Sequence, residues 1–138
     1  MAQDRITFQQ LAELRLEEAK LLLAYGQPSG AYYLAGYAIE CALKAKIASQ
    51  FRADEIPEKA LVLAVYEHEL SKLLSLANLK EDHANAVSGD PDMRRHWTIV
   101  TKWKPDARYK IWSSHEAANM LEAVGGEKGL MRWLRTRW

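Results

Sequence analysis

Arg108 and His115 pair residue types whose spacing suits chemistry on a phosphodiester, in the run Arg108-Tyr-Lys-Ile-Trp-Ser-Ser-His115. A histidine that titrates near neutrality can move the proton of an RNA 2′-hydroxyl. An arginine can stabilise the charge that builds on the phosphate. The start of a helix close by adds a dipole that favours an anion. A structural reading stands beside this one, with Arg108 as an ion-pair partner and His115 as a solvated first-turn residue.

Glu40 is the second residue with a physical demand attached. It lies in the most apolar segment of the chain, where a carboxylate must be paired, hydrogen-bonded or protonated. Lys44 is one helical turn away and is the local partner. Tyr33 and Tyr37 share its stripe and can donate hydrogen bonds. Arg108 is the candidate partner from a distance, in which case Glu40 anchors the segment that carries Arg108. Arg94 and Arg95, next to His96, read either as a solvated face or as phosphate contacts. His68 reads as a capping or packing residue and Cys41 as a small buried side chain. The chain has no phosphate-binding glycine loop, no paired-histidine zinc helix and no Gly-x-Ser-x-Gly elbow.

These side chains need a scaffold, and the length of 138 residues fits one domain with a core of its own. The single cysteine excludes an internal disulfide and a cysteine-based zinc site. No metal or cofactor is called for. No apolar run approaches the ~18 residues that span a bilayer. Met1 to Arg5 lacks the charged start and apolar stretch of a signal peptide. The expectation is a cytoplasmic protein without a membrane segment. Net charge is +1, but residues 1–91 hold 9 Lys/Arg against 13 Asp/Glu, and residues 92–138 hold 10 against 5. All five tryptophans also lie in the second part. Basic residues interleaved with aromatics suit nucleic acid, through phosphate neutralisation and base stacking. The alternative is that the two parts pack together and pair their charges internally.

Helical periodicity runs through most of the chain. A first helix starts at Thr7 as cap and ends at Tyr25-Gly26. Gln27-Pro28-Ser29 is a tight link, with Ser29 as the next cap, so the first two helices are antiparallel neighbours. The second helix runs from about Gly30 to Gln50 and is apolar nearly all round, which makes it central. Ala31, Ala35, Ala38, Ala42 and Ala45 form one stripe of small residues, and Tyr33, Tyr37, Glu40 and Lys44 form another. Leu70, Leu73, Leu74 and Leu76 mark a third short helix. Ala60 to Tyr66 is apolar with its conformation left open, and Asn78 to Ala86 can add a turn or more. Asp90 caps a fourth helix from Pro91 to about Lys102, and Lys104-Pro105-Asp106 stops it. Arg108 to Ser113 is a non-helical strap. Ser113 or Ser114 caps the last helix, which Gly125, Gly126 and Gly129 kink or break. The expected fold is all-α, an up-and-down bundle of about five helices.

Leu14 to Leu23, followed by Gly30-Ala-Tyr-Tyr-Leu-Ala-Gly-Tyr-Ala-Ile-Glu-Cys-Ala-Leu-Lys-Ala, resembles the start of a HEPN domain (higher eukaryotes and prokaryotes nucleotide-binding). His68-Glu-Leu-x-x-Leu-Leu, Trp97-x-x-Val-x-x-Trp, Ala107-Arg-Tyr and Gly129-Leu-Met-Arg-Trp-Leu are similar to later landmarks of its short prokaryotic members. The resemblance implies a helical bundle that is frequently a homodimer. It implies either a metal-independent ribonuclease of a toxin–antitoxin or defence system, or an inactive relative that binds nucleotide, RNA or a nucleotidyltransferase partner. The family's nuclease motif is an arginine, four to six residues, then a histidine. Arg108 and His115 match it at the longer limit, and they depart from it in composition at Tyr109, where a polar residue usually follows the arginine. The rival reading is a non-catalytic helical interaction module in which Glu40 and Arg108 are structural.

Overall fold

The computed structural model describes residues 4–138. Met1 to Gln3, within the stretch read above as lacking a leader, lie outside the described residues. All regular elements among the described residues are helical: α1 (Arg5–Ala24), α2 (Pro28–Ala48), α3 (Lys59–Ala64), α4 (Leu70–Leu76), α5 (Lys80–Gly89), α6 (Pro91–Val100), a 3-10 helix (Pro105–Tyr109), α7 (Ser114–Gly125) and α8 (Leu130–Arg135). The all-α bundle matches the expectation, but the described residues form eight α-helices instead of about five. The extra ones are short. α3 covers the apolar segment left open, α5 covers the stretch after Asn78, and the glycines break the last helix into α7 and α8. No described helix is long and apolar enough to cross a membrane.

α2 is the axis of the bundle. Thirteen of its 21 residues are buried, including every alanine of the small-residue stripe. It packs along α1 over most of its length and also meets α3, α4, the 3-10 helix, α7 and α8. Ala12, Leu16 and Ala19 form the buried face of α1. Small side chains on both helices let the two backbones come close, and close packing is what a core of this size needs.

The helix ends follow from local chemistry, with corrections. Asp4, not Thr7, caps α1: its Oδ1 accepts the Thr7 N–H at 2.8 Å. A carboxylate is the stronger acceptor, and it leaves Thr7 free to join the first turn. α2 begins at Pro28, ahead of Ser29, because proline tolerates the first helical position where no N–H partner exists. α2 ends at Ala48 and α6 at Val100, short of the expected Gln50 and Lys102, while the expected turn and cap residues act where they should. Gly26 takes φ +75 at the end of α1, a conformation glycine adopts without a side-chain clash. Asp90 caps α6 by accepting the N–H groups of Asp92 and Met93 at 3.0 and 3.3 Å. Ser113 caps α7 in a reciprocal box with Glu116.

The turn after α6 delivers Trp103 into the core, where it is 1% exposed. Its ring lies against Gly36 of α2: a Cβ on Gly36 would stand 2.1 Å from Trp103 Cδ1. The indole N–H donates to the Tyr33 carbonyl at 3.0 Å, so the buried donor is satisfied. Tyr33 and Tyr37 flank the ring, with centroids 5.9 and 6.4 Å away. Even the smallest addition at Gly36 therefore forces a rigid bicyclic ring to move. Gly36→Ala is expected to lower stability by about 1–3 kcal/mol, as overpacking does. Urea unfolding monitored by circular dichroism checks this, and an unchanged midpoint would contradict the contact.

Candidate functional site

The segment between α6 and α7 is held on the N-terminal half of α2. Trp112 stacks on Tyr32 with ring centroids 3.6 Å apart and planes 11° from parallel. Its backbone N–H donates to Ser29 Oγ at 2.8 Å. Ser29 thus ties down the strap instead of capping a helix. The Trp112 indole N–H closes back on the Ala107 carbonyl at 3.0 Å. The first part of the strap is also more ordered than expected, because Arg108 and Tyr109 complete the 3-10 helix that Pro105 starts. Proline fixes φ at the entry, and the Ala107 side chain is buried.

Arg108 and His115 bracket this latched strap. The Arg108 guanidinium carbon lies 4.8 Å from the centroid of the Tyr109 ring, in cation–π contact. The Tyr109 side chain first and Tyr33 second raise its pKa above the ordinary arginine value, so it is a permanent cation. Tyr109 is 77% and Ile111 96% exposed. His115 occupies the first turn of α7 and is exposed. Its Nε2 lies 3.2 Å from Asn119 Nδ2, one turn along the helix, which sets the rotation of the ring.

The charge distribution sorts into paired and free cations. Arg135 makes two contacts to Glu13 of α1, at 2.6 and 2.9 Å. Arg137 reaches Asp82 of α5 at 2.5 Å. These pairs join the basic second part to the acidic first part, as the internal-pairing reading expects. Arg94 donates to the Val87 carbonyl at 2.9 Å, and Arg95 pairs with Asp92 at 3.2 Å. His96, expected on a solvated face with them, is instead buried, and its Nδ1 lies 3.0 Å from the Lys128 carbonyl. Within the second part, Lys102, Lys104 and Arg108 have no ion pair among the described residues, whereas Arg94 and Arg132 are held by backbone carbonyls; Lys46, Arg52, Lys59 and Lys80 of the first part are likewise without an ion pair there. Lys102, Lys104 and Arg108 sit together in sequence on the turn and strap beside exposed Tyr109 and Ile111.

Glu40 does not reach Arg108. It is 3% exposed, its Oε2 accepts from Lys44 Nζ at 3.2 Å, and its Oε1 lies 3.1 Å from His68 Nδ1. Neither Tyr33 nor Tyr37 bonds to it among the described residues. Glu40 anchors the loop between α3 and α4 instead of the strap. That loop is itself pinned, since Glu67 Oε1 accepts the N–H groups of His68 and Glu69 at 3.1 and 3.0 Å. Lys44 is buried with Glu40, so each charge is the other's compensation, and losing one would strand the other. Cys41 packs beside them. Burial, then the charge of Glu40, pushes its thiol up to about 12, which keeps it protonated and inert.

His68 is the residue whose role the sequence reading missed. Its partner lies 28 positions away, and nothing local signals the contact. Trp112 and Ser29 were missed as a latch for the same reason. Among the described residues no three His, Cys, Asp or Glu side chains gather closely enough to hold a metal ion. No family model, curated protein or solved structure matches this chain.

Proposed function

We propose that the protein binds single-stranded RNA or a nucleotide on the strap, and that Arg108 and His115 cleave the bound RNA without a metal. The observation that carries this reading is the set of cations without an ion pair among the described residues, Lys102, Lys104 and Arg108, beside the exposed Tyr109, on a turn and strap latched to α2 where only Lys110 pairs, with Asp106. Cations without internal partners are available to neutralise phosphates. Tyr109 offers a face on which a base stacks. The resemblance to HEPN domains drawn from the sequence supports the same site.

In the proposed reaction the 2′-hydroxyl displaces the Asn119 amide from His115 Nε2, and that nitrogen takes the hydroxyl proton. The 2′-oxygen bonds to phosphorus as the bond to the 5′-oxygen breaks, and water protonates the leaving oxygen. Arg108 stabilises the added charge on the phosphoryl oxygens. The strap's rigidity supports this reading, because a positioned group is worth far more than a tethered one.

We also propose that the chain forms a homodimer. Leu14, Leu21 and Tyr25 lie along one outward line of α1 and are all exposed, a stripe that a second apolar surface would cover. A nucleotidyltransferase partner rests on the resemblance alone. Light scattering that reports only monomer at micromolar concentration would contradict the dimer.

Arg108→Ala and His115→Ala are expected to keep the wild-type melting curve, because both side chains are exposed. Each is expected to lower the rate of RNA cleavage by about 10²–10⁴. Binding of single-stranded RNA should weaken with salt at a log–log slope of about −2 to −3, for three to four phosphate contacts. Wild-type protein that neither cleaves nor binds RNA at low salt sinks the proposal.

A further inference from the structure

We propose that the cavity between α6, the strap and α7 is a guanine pocket, so that the site selects RNA or nucleotide carrying that base. The inference rests on the strap being a nucleotide-binding surface and adds which base it reads. The cavity is about 240 Å³ and is lined by Tyr32, Ile99, Lys102, Trp112, Glu116 and Asn119. That volume lies below the ~300 Å³ at which pockets for drug-sized molecules begin, and suits a single planar base. Tyr32 and Trp112 supply a stacked aromatic wall, and Ile99 an apolar one.

The polar atoms left open in this lining select the base. Glu116 Oε1 accepts the Ser113 N–H at 3.1 Å, which leaves Oε2 without a partner among the described residues. Asn119 uses Nδ2 on His115, which leaves its Oδ1 as an acceptor. Lys102 supplies an unpaired cation. Beside the Tyr32 hydroxyl, which can donate or accept, the lining therefore offers two acceptors and one positive donor. The Ser113 backbone N–H holds the Glu116 pKa below the usual carboxylate value, so it accepts and does not donate.

Guanine alone among the four RNA bases presents two adjacent donors, N1–H and the N2 amine, beside a carbonyl acceptor, O6. Adenine sets one donor amine next to a ring-nitrogen acceptor. Cytosine sets one donor amine beside two acceptors, and uracil one N–H between two carbonyls. Each of these three would turn a lone pair toward a carboxylate or an amide oxygen, and a site built on hydrogen bonds rejects such mismatches strongly. Asn119 links the pocket to His115, so a guanine seated there lies beside the proposed reacting group.

The test is calorimetric titration of the full chain with the 5′-monophosphates of guanosine, adenosine, cytidine, uridine and inosine. Guanosine monophosphate is expected to bind at least about tenfold tighter than the adenosine, cytidine and uridine forms. Inosine monophosphate, which lacks the N2 amine, should fall between. Glu116→Gln, which can still cap α7, should erase the preference. Equal binding of all five, no heat with guanosine monophosphate at millimolar concentration, or a preference untouched by Glu116→Gln overturns the pocket. Selective guanosine monophosphate binding without RNA cleavage upholds the pocket and refutes the nuclease. Cleavage indifferent to guanine does the reverse.

Discussion

The contact of Trp103 with Gly36 fixes where the second half of the chain can go. An indole is large and rigid, and it reaches the α2 backbone only where no Cβ stands in its way. Once seated, its N–H is satisfied by the Tyr33 carbonyl, Tyr33 stacks on the ring and Tyr37 meets it in a T-shaped contact. The end of α6 is then committed to the N-terminal half of α2. The 3-10 helix follows at once, Trp112 meets Tyr32 and Ser29, and Ser113 caps α7. Arg108 and His115 stand where they do because each of these steps constrains the next.

A second restraint operates further along the same helix. Glu40 and Lys44 form a pair that would be costly in isolation, and His68 completes it from the loop before α4. Buried pairs add little net stability, because desolvation offsets much of the attraction. Their effect is to define register, since only one placement of that loop gives Glu40 its full set of partners. α2 thus holds the strap through aromatic packing at one end and the α3–α4 loop through the contact of His68 with buried Glu40 at the other.

The parts of this structure legible in the sequence were those decided within a few residues. An all-round apolar pattern placed α2 at the centre. Gly26, Asp90-Pro91 and Ser113 marked helix ends through turn and cap chemistry. The glycines from Gly125 marked the break before α8. The parts that depended on distant partners were not legible. Ser29 looked like a cap, and its actual partner is 83 residues away. Glu40 announced a need for a partner without identifying His68. His96 looked solvated in the run Arg94-Arg95-His96 because the helix face it occupies is decided by α6 packing on its neighbours. The short helices α3 and α5 lack long periodic patterns, and only tertiary burial of residues such as Ala64 and His83 stabilises them. Of the proposed site, the residue types were readable, but the latch that positions them was not.

Within the basic second part, Arg135 and Arg137 pair with acids of the first half, while Lys102, Lys104 and Arg108 have no ion pair among the described residues. Function in this account therefore depends on the strap staying fixed, which sets a direct test. Cleavage of a mixed-sequence single-stranded RNA is measured for the wild type and for Tyr32→Leu, with a circular dichroism melt of each. The substitution keeps an apolar side chain in the core and removes the stack under Trp112. The account predicts that the variant stays helical and cooperatively folded but cleaves about 10- to 100-fold more slowly than the wild type. A folded variant that cleaves at the wild-type rate would contradict it, as would a wild type with no cleavage at all.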